Sequence, residues 1–186
     1  MGRPVRQGAT YEDLCAVPEH LIAELINGDL YTSPLLPPRH AHAASRLGFL
    51  IMAPFDLTRR GPGSWVFLNK PELHWGRDVL VPDIAGWRRE RMPRIPDGVG
   101  IELPPDWVCE VLSPTTTAHD RARKMPIYLR AGVTHFWLID PVAQTVEIFR
   151  SQSGCWSLRT TLEGEAKARI EPFDAIELDL SVLWQR

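Results

Sequence analysis

Two acidic residues stand inside strongly apolar stretches of the sequence. Asp83 belongs to VLVPDIA, and Glu110 belongs to WVCEVL. Residues in such stretches are normally buried, and burial of an unpaired carboxylate is costly, so a positive charge must accompany them. Mg²⁺ suits this role, because it binds one or two carboxylates together with waters and phosphate oxygens. The two acids therefore predict a divalent-metal site that acts on a phosphate group.

Phosphodiester hydrolysis is the reaction that such a site would support. A bound Mg²⁺ or Mn²⁺ activates water and neutralises the charge that develops on the phosphate. Asp83 and Glu110 are predicted in consecutive apolar strands, and strands about 4.8 Å apart would bring both carboxylates to one ion. The backbone carbonyl of Val111 is a candidate third ligand, and Glu24 is a candidate catalytic acid. The alternative for each acid taken alone is a solvated residue at a strand end.

An acidic and a basic residue follow on a predicted helix. Asp120 and Lys124 are four residues apart, which places both on one helix face. Asp120 is a candidate substrate-contacting residue in this position. Its alternative is structural, since Thr117 and Asp120 have the spacing of a capping box at a helix start.

Other candidate substrate contacts are single residues with open alternatives. His40 would touch a phosphate or shuttle a proton, or it is an exposed helix residue. Ser113 would bond the metal shell or cap its loop, and no G-x-S-x-G motif marks a serine nucleophile. Arg88 and Arg89 begin a basic, proline-rich loop over 88–105, which we expect to be mobile and near the site. This loop would grip a phosphate backbone, or it is a solvated loop balanced by its own acids.

The elements that must position these residues follow from the apolar pattern. Asn27-Gly28 predicts a hairpin between strands 20–26 and 29–32, because both residues tolerate positive φ. Helical spacing of apolar residues predicts a helix over 39–57 that Pro54 kinks or ends. Further predictions are a helix over 11–16, strands over 64–69, 72–75, 79–86, 107–112 and 133–139, a helix over 117–130 and a hairpin over 146–161. This order predicts an α/β fold in which helices flank a mixed central sheet.

Composition limits the class of protein. The 186 residues are 44% hydrophobic and 24% charged, which predicts one soluble domain over 1–186 with a flexible start at 1–9. The net charge of −2 provides no global basic field, so a nucleic acid must be held by a local patch or through metal. Three widely spaced cysteines fit a reducing, cytoplasmic location better than a disulfide scaffold or a zinc site. No apolar run is long enough for a membrane span, and no secretory signal is visible.

Five segments occur in the order typical of one known family. They are AELINGDLY (23–31), PPRH (37–40), VPDIA (81–85), VCEVLSPTT (108–116) and DRARKMPIYLRAGVTHFWLIDP (120–141). On these segments the chain resembles the Uma2-like group of the PD-(D/E)xK nuclease superfamily. The resemblance implies a restriction-endonuclease-like fold, a metal-dependent endonuclease that acts on nucleic acid, chiefly DNA, and a homodimer. It places the superfamily acids on Asp83, Glu110 and, from the N-terminal part, Glu24.

One departure from the superfamily pattern is plain. The lysine expected two residues after the second acid is replaced here by Leu112. Lys124 is the preferred substitute for positioning water and stabilising charge, and Lys70 is a second candidate. The alternative is a catalytically inactive nuclease-fold protein that serves as a binding module for nucleic acid or protein.

Overall fold

The computed structural model describes residues 3–34, 37–57, 64–114 and 116–185. Its helical elements are α1 (Tyr11–Cys15), α2 (Pro38–Phe55), α3 (Thr117–His119), a π-helical turn (Asp120–Lys124), α4 (Met125–Ala131) and a 3₁₀ turn (Leu180–Leu183). Its strands are β1 (Leu21–Ile26), β2 (Asp29–Pro34), β3 (Trp65–Asn69), β4 (Glu72–Trp75), β5 (Asp78–Leu80), β6 (Ile84–Arg88), β7 (Gly100–Ile101), β8 (Trp107–Val111), β9 (His135–Asp140), β10 (Thr145–Gln152), β11 (Cys155–Glu163), β12 (Lys167–Ala168) and β13 (Leu178–Asp179). None of the described helices is both long and apolar enough to span a bilayer.

Two larger sheets and one small ribbon make up the described β-structure. The six-stranded sheet has the order β11-β10-β9-β8-β6-β3 and is antiparallel except for the parallel pair β8–β9. The five-stranded sheet has the order β2-β1-β5-β4-β7, and β12 pairs with β13. The predicted α/β fold with a mixed central sheet is present. A second mixed sheet accompanies it, which the sequence pattern did not predict.

The six-stranded sheet is buried on both faces. Alternate residues of each strand point to opposite faces, so Trp65 packs with α2 and the C-terminal segment, whereas Val66 packs toward α4 and the five-stranded sheet. The apolar stripe predicted on α2 supplies Leu47, Ile51 and others to the first of these cores. The helix ends at Phe55, one residue after Pro54, as predicted.

The N-terminal hairpin is confirmed. Asn27 and Gly28 adopt φ values of 54° and 81°, and β1 pairs with β2 in antiparallel register. The start of the chain lies along this hairpin. Val5 donates its backbone N–H to Leu30, and Ala9 donates to Gly28, within the segment 1–9 for which flexibility is predicted. Met1 and Gly2 of that segment lie outside the described residues.

The prediction of one strand over 79–86 is wrong. The chain forms β5 in the five-stranded sheet, leaves it at Val81, and enters β6 of the six-stranded sheet at Ile84. Pro82 has no N–H to donate to a sheet ladder, so the strand cannot continue through it. Asp83 consequently lies at the crossing between two sheets and not inside a strand.

The helix predicted over 117–130 forms over 117–131 but contains a π-helical turn, and the capping box proposed for it is absent. The N-cap residue is Thr116, with no side-chain cap hydrogen bond, and Thr117 is already helical. The backbone N–H of Met125 bonds the carbonyl of Asp120, which makes a π-helical turn directly before Pro126. A wider turn at this point relieves the clash that a proline ring makes with the carbonyl four residues earlier.

Phe173 should be one of the most sensitive core positions. It is fully buried, and its ring contacts those of Phe55, Trp65, Phe67, Trp107 and Trp137 at centroid distances of 5.1–5.6 Å. Phe173→Ala should therefore lower the free energy of unfolding by about 3–5 kcal/mol, through lost burial and the cavity left behind. Urea denaturation followed by tryptophan fluorescence measures the loss.

Phe49→Ala is the matched control for this prediction. Phe49 is 70% exposed on α2, so its truncation should change the free energy of unfolding by no more than about 0.5 kcal/mol. Similar midpoints for the two variants would contradict the assignment of Phe173 to the core.

Candidate active site

A cavity of about 120 Å³ lies where the crossing at 81–83 meets β1, the end of β8, the start of α2 and the π-helical turn. Several charged and imidazole side chains line it: Arg3, Glu24, His40, Lys70, Asp83, Glu110, His119, Asp120 and Lys124. Five of these residues were predicted for the site from the sequence, and all five are buried: Glu24, Asp83, Glu110, Asp120 and Lys124. The structure thus brings the predicted cluster together.

Asp83 is held rigidly at the crossing between the sheets. Its Oδ2 accepts a hydrogen bond from the backbone N–H of Val111 at 2.8 Å and lies 2.9 Å from Nε2 of His40. His40 is buried in the first turn of α2, which Pro38 begins at the position that proline favours. The structure therefore places His40 against Asp83 in the interior, not on an exposed helix face.

Glu110 faces the cavity because of strand alternation in β8. Its neighbours Cys109 and Val111 pack in the core toward α2, so the Glu110 carboxylate points to the opposite face. There its Oε1 accepts a hydrogen bond from the Tyr128 hydroxyl at 2.5 Å. Burial raises the pKa of Glu110 well above its ordinary value, even though the Lys124 ammonium opposes this shift.

Lys124 lies at the centre of the acids. Its Nζ is 2.7 Å from Glu110 Oε1 and 2.8 Å from Glu24 Oε1, and it donates to the Val81 carbonyl at 3.2 Å. Only 3% of the residue is exposed. An ammonium has three N–H donors, so these three partners use all of them.

Glu24 is the acid most firmly kept ionised. Burial raises its pKa, but the Lys124 ammonium, with hydrogen bonds from His119, Lys124 and the Val81 backbone N–H, outweighs burial and lowers the pKa of Glu24 to about 2. The Val81 N–H donates to Glu24 at 2.8 Å. The first hairpin is thereby tied to the crossing between the sheets.

Asp120 lines the same cavity, 4.0 Å from the Lys124 ammonium. Burial raises the pKa of Asp120 to about 6, with Lys124 lowering it less strongly. Burial thus raises the pKa values of two of the clustered acids, Glu110 and Asp120, and the Lys124 ammonium offsets the shift only in part.

The comparison with known families agrees with this geometry. The sequence model of the Uma2 family, described as "Putative restriction endonuclease", matches residues 9–182. The chain belongs to the Uma2 family. No curated protein matches it.

A solved structure has a similar fold. It is the crystal structure of a putative nuclease belonging to DUF820 from Anabaena variabilis ATCC 29413, with a TM-score of 0.73 and 24% sequence identity. The match covers 94% of this chain and 97% of that chain. The restriction-endonuclease-like α/β fold predicted for the Uma2 protein is confirmed by this similarity.

Three predicted substrate contacts lie apart from the cavity of the Uma2 protein. Arg88 stands at the opposite end of β6 from Asp83, with its guanidinium over the Trp65 ring at 4.3 Å. Arg89 pairs with Asp56 at 2.7 Å. Ser113 is 3.1 Å from the Thr116 hydroxyl in the loop after β8. The two arginines therefore contact Trp65 and Asp56, and Ser113 contacts Thr116 within its own loop.

Sequence reasoning missed two residues of the Uma2 site. Tyr128 bonds Glu110, and its position four residues after Lys124 was the available signal for a shared helix face. His119 lies 3.7 Å from Glu24 and 5.1 Å, between ring centroids, from Tyr31. Nothing in the spacing around His119 pointed to Glu24, because the two are far apart in sequence.

The donor chemistry of the Uma2 site suits a hard divalent cation. Asp83 Oδ1 accepts no hydrogen bond from a described residue, and Val111 lines the same cavity. Carboxylate and carbonyl oxygens are ligands that Mg²⁺ and Mn²⁺ prefer. Within the described ranges, however, no group of three or more His, Cys, Asp or Glu is already arranged around an ion position.

Replacing Lys124 by methionine should destabilise the protein in a pH-dependent way. At pH 7.5 the loss should be about 3–5 kcal/mol, because buried acids are left without their counter-charge. The lowered pKa of Glu24 contributes stability above its ordinary value of 4.5 that is lost as the pH falls toward 2. Without the ammonium Glu24 takes up a proton more readily, so the deficit should be smaller at pH 5. Urea midpoints at both pH values test this.

Lys167→Met is the control for Lys124→Met. Lys167 is 60% exposed and pairs with Asp179 at 3.1 Å, so its loss should cost under about 1 kcal/mol at either pH. An equal deficit for Lys124→Met at pH 5 and pH 7.5 would show that lost packing, and not lost charge, dominates.

Proposed function

We propose that this Uma2 protein is an Mg²⁺- or Mn²⁺-dependent endonuclease that hydrolyses nucleic-acid phosphodiesters, with DNA as substrate. One observation carries the proposal: Asp83, directly before β6, and Glu110, in the neighbouring strand β8, both line one buried, acid-rich cavity. Ile84 pairs with Cys109, so the residues that flank this pair bring both carboxylates to the same end of the two strands.

Asp83, Glu110 and the Val111 carbonyl are the proposed metal ligands. The Val111 N–H and His40 both bond Oδ2 of Asp83, which directs Oδ1 into the cavity. Such hydrogen bonds fix the orientation of a ligating carboxylate. When bound, the metal ion supplies charge neutralisation at the phosphate and lowers the pKa of a bound water.

The protein groups do the remaining work. In hydrolysis a water oxygen bonds to phosphorus, the bond from phosphorus to one ester oxygen breaks, and the protons of water end on the leaving oxygen and in solvent. The Lys124 ammonium balances the charge of Glu110 beside the reacting centre, and Glu24 holds that ammonium from its other side. We propose that Lys124 thereby takes over the charge-balancing part of the role of the lysine that Leu112 displaces, and that Glu24 is the assisting carboxylate.

Partners and location belong to the proposal as well. A homodimer would present two such sites to the two strands of a duplex, by analogy with nucleases of this fold. The acidic net charge of −2 leaves recognition of the phosphate backbone to local groups near the cavity. A cytoplasmic protein with access to DNA fits this function.

A binding module without catalysis is the second candidate function. It is favoured by the absence, within the described ranges, of a ready-made group of three metal ligands, and by Leu112 in the lysine position. Nucleic-acid binding that survives replacement of both Asp83 and Glu110 would support this candidate.

Asp83→Asn and Glu110→Gln should each abolish cleavage while the fold is kept. We expect wild-type protein to cut plasmid, linear duplex or single-stranded DNA in Mg²⁺ or Mn²⁺, and each variant to lose at least about 100-fold in rate, as removal of a metal ligand requires. Titration calorimetry with Mn²⁺ alone should show weakened metal binding in both variants.

Glu147→Gln serves as the control, since Glu147 pairs with Arg121 and neither residue lines the cavity. It should cut and bind Mn²⁺ as the wild type does. Unchanged Mn²⁺ affinity in Asp83→Asn would refute the metal assignment even if cleavage were lost.

A further inference from the structure

The phosphate-facing cation of the site has to have N–H groups to spare. Lys124 has none in this arrangement, because Glu24, Glu110 and the Val81 carbonyl accept its three donors. Moving it toward a phosphate would leave buried carboxylates without a partner, which is a large cost. The role of Lys124 is therefore confined to holding the acids.

Lys70 is placed where a substrate-facing cation is needed. It directly follows β3, and its backbone N–H bonds the carbonyl of Asp83 at 3.1 Å, which continues the pairing of β3 with β6. Its Nζ lies 3.7 Å from Asp83 Oδ1, the oxygen that no described residue hydrogen-bonds. The ammonium of Lys70 forms no hydrogen bond to a described residue, so its three donors are available.

Lys70 also combines reach with solvent access. Its side chain is 46% exposed, whereas that of Asp83 is 6% exposed, and both residues line the cavity. The Lys70 side chain thus connects the buried acid with solvent at the edge of the cavity.

The backbone at Lys70 supports a functional reason for the residue. Its φ is 50°, in the left-handed region that favours glycine or asparagine. A residue other than glycine is strained in this conformation, and strained residues concentrate at functional sites. Here the strain coincides with a side chain that faces an acidic cavity.

We propose that Lys70 binds a non-bridging oxygen of the scissile phosphate and stabilises the charge that grows there during hydrolysis. This assignment rests on the proposed nuclease function and separates two tasks that one lysine was predicted to perform. Lys124 maintains the acidic cluster, and Lys70 contacts the substrate.

The test compares Lys70→Gln, Lys70→Arg and Lys70→Gly with Lys167→Gln as the matched control. Binding of fluorescein-labelled DNA is measured by anisotropy in Ca²⁺, and cleavage is measured in Mg²⁺ and Mn²⁺. Lys70→Gln should lose about 100-fold in kcat, the effect of removing one donor at a developing oxyanion. Lys70→Arg should recover part of that loss because it keeps the charge, and Lys167→Gln should stay within about twofold of the wild type.

Lys70→Gly distinguishes a substrate contact from a structural role. Glycine adopts positive φ without strain, so its Tm should equal or exceed that of the wild type while DNA binding and cleavage fall as in Lys70→Gln. A Tm lowered in step with activity would overturn the proposal in favour of a structural lysine.

The remaining outcomes separate this proposal from the nuclease function itself. If the wild type cuts DNA and Lys70→Gln equals Lys167→Gln in kcat and in affinity, Lys70 is excluded and the nuclease function stands. If the wild type binds DNA without cutting it, a tenfold or larger loss of affinity in Lys70→Gln alone supports the phosphate contact, and equal affinities overturn it. A wild type that neither binds nor cuts DNA overturns both.

Discussion

The buried ammonium of Lys124 is the interaction on which the rest of the site depends. Its three donors join β1 through Glu24, β8 through Glu110 and the crossing between the sheets through the Val81 carbonyl. Each of these acids alone would be costly to bury, and the ammonium is the charge that permits all of them to share one cavity. The same contacts join the five-stranded sheet to the six-stranded one. The ion pairs that compensate the buried charges therefore also hold the two sheets together.

Two local departures from regular structure make this contact possible. Pro82 ends the ladder of β5, so the chain turns from one sheet to the other and exposes the Val81 carbonyl and the Asp83 carboxylate to the cavity. Pro126 accompanies the π-helical turn that carries Asp120 and Lys124 at its two ends. Such turns are often found at functional sites, because they aim side chains that a regular helix would direct elsewhere.

The acids of the site could be predicted from sequence because their apolar context is a local signal. Asp83 and Glu110 interrupt hydrophobic stretches. Acids are rarely buried without a partner, so their position in such stretches marks them as unusual from the sequence alone. The bonding of Lys124 and the placement of Arg88 could not be predicted in the same way. The first depends on a break in a strand, and the second on how far β6 carries Arg88 from Asp83, and both are set by the packing of distant segments.

The cost of burying charge explains why one lysine stabilises the acids and another contacts the substrate. A lysine that is surrounded by carboxylates is held in place by them. The stronger its ion pairs with these acids, the less its ammonium is available to bind a phosphate. A half-exposed lysine such as Lys70 has lower electrostatic cost and free donors, but it needs an acid nearby to define its position, which Asp83 provides at 3.7 Å. A site built on a buried acidic cluster therefore requires two kinds of cation, one that permits the cluster to exist and one that meets the substrate at its edge.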